Sequence, residues 1–368
     1  NASGGMDLST ESLVIGGIPS DYRGFRQIIP ADFNGDGRLD LFLESHGPEW
    51  DCGDDEPYSC WPGGQNRLLL SDEGGKLNNV TTTNLPAFSD FSHGSTVLDF
   101  DGDGDMDIWV NNGFNENAEF YPKSYLLLEN DGFGAFTVIA DSTLPWMPVL
   151  VGHNGILPGI HSEGVDWAAG DWAVAIDANG DGNTDLDLGW NDLFTEYGPP
   201  TTFKHSLLLN DGEGHFDTLP VEGAPKPSWA DRPAAQHALV YDLNNDGLDD
   251  QLLHQSAEYA APEWMQVLIS NGDGTFRDET STRYPFQENS VMSDFQLHDL
   301  DGDGHPDLFN NLNWDQVDVR VNDGEGNFRL LSNDWVQMSH SWVVLDVDND
   351  GGTDFLESRG GLRLHKMN

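Results

Sequence analysis

Apolar residues along this chain fall in short runs of strand length. The runs are separated by aspartate and glycine and are not spaced for helices. Ser95-Thr-Val-Leu, Asp107-Ile-Trp-Val, Asp40-Leu-Phe-Leu and Trp342-Val-Val-Leu are β-branched and aromatic, the composition of strands. A second set of runs ends in a tight turn followed by an aromatic or apolar residue. It reads Leu68 to Leu77, Leu126 to Phe136, Leu207 to Phe216, Val267 to Phe276 and Val319 to Phe328. Asn-Asp-Gly and Asn-Gly between such runs are hairpin signals. One repeat is therefore strand A, loop, strand B, long connection, strand C, tight turn, strand D. Four antiparallel strands per repeat predict a propeller blade.

The pattern predicts an all-β chain, one β-propeller domain over residues 1–368. Its blades span about 20–88, 89–165, 166–230, 231–286, 287–334 and 335–368, with an N-terminal strand within 8–18. The count is six four-stranded blades, or seven if residues 137–170 hold a degenerate one. The last repeat stops after strand C, so Ser12-Leu-Val-Ile is expected to supply its missing strand and close the ring.

The loop between strands A and B carries the chemistry. Its clearest copy is Asp99, Asp101, Asp103, Gly104 and Asp107, the pattern D-x-[DN]-x-D-G-x-x-D. Further copies are Asp32, Asn34, Asp36, Asp40; Asp177, Asn179, Asp181, Asp185; Asp242, Asn244, Asp246, Asp250; Asp299, Asp301, Asp303, Asp307; and Asp346, Asp348, Asp350, Asp354. Oxygen side chains at positions 1, 3, 5 and 9, with glycine at 6 for the sharp turn, suit a hard cation such as calcium. An EF-hand would need glutamate at position 12 between helices. Position 12 is Leu43, Val110, Leu188, Leu253, Asn310 and Glu357, and the flanks are strands. About six structural Ca2+ ions are expected.

The repeat resembles the FG-GAP/VCBS family, the calcium-bearing blades also found in the integrin α-subunit propeller. The resemblance runs from about residue 20 to 366. It implies that the loops above are calcium sites. It leaves function open, since the family includes adhesion propellers, lectins and domains of secreted polysaccharide-degrading proteins.

Charge narrows the partners. The formal net charge is −48, with 16 lysines and arginines, a field that repels nucleic acid and anionic membranes. No apolar run approaches membrane-spanning length, so membrane insertion is not expected. Cys52 and Cys60 sit in a loop rich in Asp, Gly and Pro, where a disulfide is the natural reading for a secreted protein. A secreted or cell-surface location in an oxidising, saline medium follows.

Length variation is concentrated on one face. The A–B loops are short and uniform, whereas the B–C loops at 44–66, 111–124, 190–205, 254–265 and 311–318 are long and varied. Binding or catalysis is expected among those long loops. Trp50, Trp61, Trp190, Trp264 and Trp314 fall in or beside them, with His46 and Asn191 nearby. Their rings suit stacking on neutral sugars or pin the loops down. Trp146, Trp167, Trp172, Trp229 and Trp335 fall in or beside the blade connections.

Six residues before each loop, strand A opens on a polar residue: Arg26, His93, Asp171, Gln236, Ser293 and His340. They are expected to ring the upper channel mouth, with His237 and Asp294 one place on. No compact catalytic motif is present. Two functions follow, besides a pure protein–protein adhesion platform as a third, and enzyme status is open. One is a secreted propeller binding a glycan or extracellular protein through a Trp-rich loop face, in lectin-like or adhesion roles. The other is a polysaccharide lyase or hydrolase at the channel mouth, with His93, Asp171 or His340 in acid–base work and Arg26 or Arg359 neutralising a uronate.

Overall fold

A computed structural model describes residues 14–15, 25–45, 47, 63–87, 92–112, 125–139, 168–192, 203–219, 234–256, 264–285, 292–299, 302–312, 316–332, 342–345, 354–358 and 362–366. In the first sheet, β1 (Val14–Ile15) joins β2 (Phe25–Ala31), β3 (Asp40–Ser45), β4 (Arg67–Ser71) and β5 (Leu77–Asn79). The second blade holds β6 (Ser92–Leu98), β7 (Asp107–Asn112), β8 (Tyr125–Asn130) and β9 (Phe136–Val138). In the third are β10 (Ala168–Ile176), β11 (Asp185–Asp192), β12 (Phe203–Asn210) and β13 (Phe216–Leu219). The fourth is β14 (Ala234–Tyr241), β15 (Asp250–Ser256), β16 (Trp264–Ser270) and β17 (Phe276–Asp278). Blade five comprises β18 (Met292–His298), β19 (Asp307–Leu312), β20 (Gln316–Asn322) and β21 (Phe328–Ser332). A last sheet has β22 (Trp342–Leu345), β23 (Asp354–Ser358) and β24 (Leu362–Lys366).

Within each sheet, sequential strands of the repeat pair antiparallel in chain order, the up-and-down order of a propeller blade. Two expectations are corrected. Five blades are complete, not six or seven, because the last sheet has only three strands among the described residues. The N-terminal strand does not join that sheet. Val14 and Ile15 pair parallel with Leu77 and Asn78 on the outer edge of the first blade. Without that pairing β5 would be a bare edge strand, and the short extended Val-Ile segment covers that edge. The innermost β22 lies beside both β18 and β2.

The core lies between blades. Ile29, Phe33, Phe42 and Leu68 of the first pack with Ile108, Val110, Leu126 and Phe136 of the second. Leu98, Phe100 and Trp109 pack likewise with Leu186, Leu188 and Phe216 of the third. The fourth and fifth meet through Leu243, Leu252, Val267, Phe295, Leu308 and Phe328. Strands buried on both faces explain the nearly continuous apolar runs of strands B and C. β3, for example, is buried along its whole length.

Among the described residues, two one-turn helices lie outside what the sequence pattern predicts. α1 (Thr81–Asn84) and α2 (Thr280–Arg283) follow strand D in blades one and four. In each, the first threonine hydroxyl accepts a strand-C amide. Thr81 takes Leu68 N–H at 3.0 Å and Thr280 takes Val267 N–H at 2.9 Å. The shared spelling, Thr81-Thr-Thr-Asn-Leu-Pro and Thr280-Ser-Thr-Arg-Tyr-Pro, was the available signal.

Candidate metal loops and the channel mouth

Each described loop is closed by the aspartate at position 9, which opens strand B. In loop 1, Asp40 Oδ2 accepts Phe33 N–H at 3.1 Å and its Oδ1 accepts Ser71 N–H at 2.7 Å. The same pair recurs at Asp107 with Phe100 and Asn130, at Asp185 with Ala178 and Asn210, and at Asp250 with Leu243 and Ser270. Asp307 accepts Asn322 N–H at 3.0 Å. One buried carboxylate thus joins its own loop to the end of strand C.

The first aspartate shapes the turn. Asp99 Oδ1 accepts Gly102 N–H at 2.9 Å and its Oδ2 accepts Gly104 N–H at 3.0 Å. Gly104 stands at φ +94°, a left-handed conformation that glycine adopts without Cβ strain. Position 4 is also left-handed. It is glycine in four described loops and Asn245, at φ 60°, in the other, asparagine being the side-chain residue that best tolerates it.

The carboxylates converge. Oxygens of Asp99, Asp101 and Asp107 lie within 4.8 Å of one another. Burial pushes the Asp107 carboxyl up to about 7, against hydrogen bonds from Asn130 and Phe100, and Asp101 and Asp103 add repulsion. Asp185 and Asp250 rise to about 6 for the same leading reason. Burial first and Asp103 next also raise Asp101 and Asp105. An all-oxygen set whose members repel one another fits a hard divalent cation. Loop 1 departs from this pattern, since the Arg38 guanidinium is bonded to Asp36 Oδ2. Asp301, Asp346, Asp348 and Asp350 lie outside the described residues, and Asp354 is described only as the start of β23.

The loops are also tied to the next blade. Asn130 Nδ2 donates to Met106 O of its own loop at 3.0 Å and to Phe33 O of loop 1 at 2.9 Å. Asn210 does the same to Thr184 O and Phe100 O, both at 3.1 Å. Asn322 reaches Leu243 O at 3.4 Å. Blade four has Ser270 there, and its turn amide Gly274 N–H reaches Ala178 O at 3.0 Å. The Asn-Asp-Gly signal predicts the hairpin. The bridge between blades was missed.

Strand A carries a β-bulge in every complete blade. The register shifts fall between Phe25 and Gln27, Ser92 and Gly94, Gly170 and Trp172, Ala235 and His237, and Met292 and Asp294. The extra residues are Arg26, His93, Asp171, Gln236 and Ser293, the polar positions singled out by spacing. Bulges re-aim side chains and recur beside functional sites. His93 is half-buried. His340 and Arg359 lie outside the described residues.

Of the expected sugar-contacting residues, Trp50, Trp61, Trp314 and His46 lie outside the described residues, as do Cys52 and Cys60. Trp190 and Asn191 belong to β11, paired with Gly170 and Ala169, so strand B there runs beyond its expected end. Trp264 opens β16. Trp172 is in strand β10, not in a connection, and it is buried against Gly189, where any Cβ would collide with its indole. Among the described residues, no helix is long and apolar enough to cross a membrane.

The FG-GAP-like repeat family matches residues 53–110 and 242–310. No curated protein matches the chain. Two crystal structures of BBS1N in complex with ARL6DN, one soaked with lead and one with mercury, are similar at TM-scores of 0.48 and 0.47. Their identities are 10% and 9%, over 95% of this chain and 94% of each of theirs.

Proposed function

We propose that this chain of FG-GAP-like repeats is a calcium-stabilised binding propeller, one that presents a rigid surface to a partner outside the cell. The observation that carries this reading is the recurring loop, with its buried ninth-position aspartate and, in loop 2, the converging oxygens of Asp99, Asp101 and Asp107. Asp99, Asp101, Asp103 and Asp107 would hold one ion, and the matching residues of the other loops would hold theirs. A bound ion supplies positive charge where the chain has gathered negative charge. The chain's own residues set the geometry, because the position-9 aspartate and the strand-C asparagine join loop, blade and neighbouring blade. This role is structural, and no reaction step is assigned to the ion. The net charge of −48 supports an extracellular, calcium-rich setting. Thermal melting in calcium and after calcium depletion tests the reading, and an unchanged melting temperature would refute it.

A second reading rests on the bulges. Arg26, His93, Asp171, Gln236 and Ser293 occupy one repeat position at the start of strand A. A glycan bound or cleaved at that end of the channel would meet them. Product sizing after incubation with neutral and anionic polysaccharides tests it. Shortened chains that persist in His93→Ala would remove His93 from any acid–base role.

A further inference from the structure

Large apolar side chains are exposed at four places among the described residues. They are Leu39 at 45%, Met106 at 37%, Phe133 at 79% and Tyr241 at 42%. All four lie at the end of the blades that carries the A–B loops and the strand C to D turns, opposite the long B–C loops. Leu39 and Met106 are the eighth residues of loops 1 and 2, and Tyr241 immediately precedes loop 4. Phe133 stands at the tip of the strand C to D turn of blade two. The equivalent tip residues are Glu213, Asp273 and Glu325 in blades three to five. A phenylalanine therefore replaces an acid at a solvent-facing position.

The turn places Phe133 between loops 1 and 2. Asn130, at its start, donates to carbonyls of both. On one side a Cβ on Gly132 would collide with the Asp105 carboxylate, and on the other a Cβ on Gly134 would meet Leu70 Cδ1 at 3.3 Å and Asn34 Cβ at 3.6 Å. The Phe133 N–H donates to Asp131 Oδ1 at 2.9 Å and Asp105 stands against Gly132, while Asp103 lies in charge range of Asp105 and, with Asp101, of Glu129. Asp105, Glu129 and Asp131 are not at ion-ligand positions, so the rim stays negative when loop 2 is filled. Arg38, the nearest cation in loop 1, is already bonded to Asp36.

We propose that the A–B loop face over blades one and two, opposite the long B–C loops, docks a basic polypeptide segment, one that sets an apolar side chain against Phe133 and Met106 and lysines or arginines against the surrounding carboxylates. It rests on the reading of the chain as a binding platform and gives that platform a face and a partner chemistry. An exposed aromatic anchor inside a charged rim is the usual anatomy of a protein contact. A second copy of this chain would set carboxylate against carboxylate. An anionic bilayer would be repelled.

The test uses the full chain in calcium. The probe is a short fluorescein-labelled peptide of lysine and serine with one central tryptophan, beside the same peptide with serine in place of tryptophan. Anisotropy is expected to give about tenfold tighter binding of the tryptophan peptide, a difference of about 1.4 kcal/mol. Phe133→Glu installs the residue that blades three and five carry, so the turn tolerates it. It also adds negative charge. Pure charge attraction predicts that this variant binds both peptides at least as tightly, whereas an apolar anchor predicts that it loses the tryptophan preference. Met106→Thr, which installs the residue of blade three, should weaken the preference without changing charge. Undiminished tryptophan preference in Phe133→Glu overturns the docking site. So does failure of the wild type to bind either peptide while calcium still raises its melting temperature, and that result leaves the platform reading intact. Self-association abolished by Phe133→Glu in sedimentation would make the occupant a second copy and overturn the basic partner.

Discussion

Loops 1 and 2 have the same length, the same turn and the same closing hydrogen bonds, yet they differ in how much negative charge they gather, and so, on the calcium reading proposed, in how strongly a cation would be held. Asp40 and Asp107 each accept two backbone amides. Loop 1 places Asn34 at position 3 and Arg38 at position 7, where loop 2 places Asp101 and Asp105. Burial raises the Asp40 carboxyl, and Asp36 is the one charged neighbour that adds to it. Asp107 rises further, to about 7, with both Asp101 and Asp103 adding repulsion. The backbone hydrogen bonds set the shape of the loop. On the calcium reading proposed, the side-chain charges set its affinity for an ion. These are separable, and the chain varies one while keeping the other.

Calcium depletion should have the largest effect. Each filled site adds about 2.7 kcal/mol at a hundredfold excess over its dissociation constant, so several sites together should lower the melting temperature markedly on removal. Asp101→Asn with Asp103→Asn should abolish more of the calcium-dependent shift than Asn34→Ala with Asp36→Asn. Equal losses would show that the two loops draw on calcium alike.

Removing the shared hydrogen bonds should erase the contrast. Asp40→Ala and Asp107→Ala each strand two amides, at about 1–3 kcal/mol per unsatisfied group. In metal-free buffer the two variants should lose similar stability in urea unfolding, and a much larger loss at Asp107 would mean that charge also shapes the loop. Asn130→Ser, which copies Ser71 of blade one, should cost about 1–2 kcal/mol through its two carbonyl contacts. No loss in the same assay would show that the bridge between blades is not stabilising.

The pH dependence should reverse with calcium. Asp107, Asp185 and Asp250 have folded-state values of about 7, 6 and 6, above the unfolded 3.8. Between those limits the folded state holds more protons, so stability falls as pH rises from about 4 to 7. Asp72, Asp211, Glu279 and Asp323 shift downward but are on the surface and weigh little. Metal-free protein should melt higher at pH 5 than at pH 7.5, and calcium-loaded protein lower, because the ion needs ionised ligands. Parallel trends in scanning calorimetry would exclude this account. The smallest expected effect is that of Arg38→Gln. It should change metal-free stability by no more than about 0.5 kcal/mol while tightening calcium binding at loop 1. An unchanged calorimetric titration would show that Arg38 does not compete.

Much of this was legible because each repeat obeys local rules. Aspartate and glycine at fixed offsets fold the loop through contacts within a few residues, and short apolar runs name the strands around it. What could not be read depends on distant partners. The pairing of Val14 with Leu77 requires knowing which edge is left bare. The buried Trp172 fits only because Gly189 lies opposite. The polar positions at the start of strand A were found by spacing alone, but the bulges that hold them follow from strand pairing. Phe133 was hidden differently, since it reads as one more apolar residue until its neighbours in the repeat prove to be acids.

The bridge between blades points one way along the chain. The asparagine that seals loop 1 lies 97 residues downstream of Phe33, and the one that seals loop 2 lies 110 downstream of Phe100. A ribosome adding about 5–20 residues per second leaves each loop open for roughly 5–20 s until the following blade emerges. Synthesis and assembly therefore run in the same direction, each new blade locking the one before it. A chain cut short between blades would keep its last loop unsealed, an exposed acidic turn marking the point of truncation.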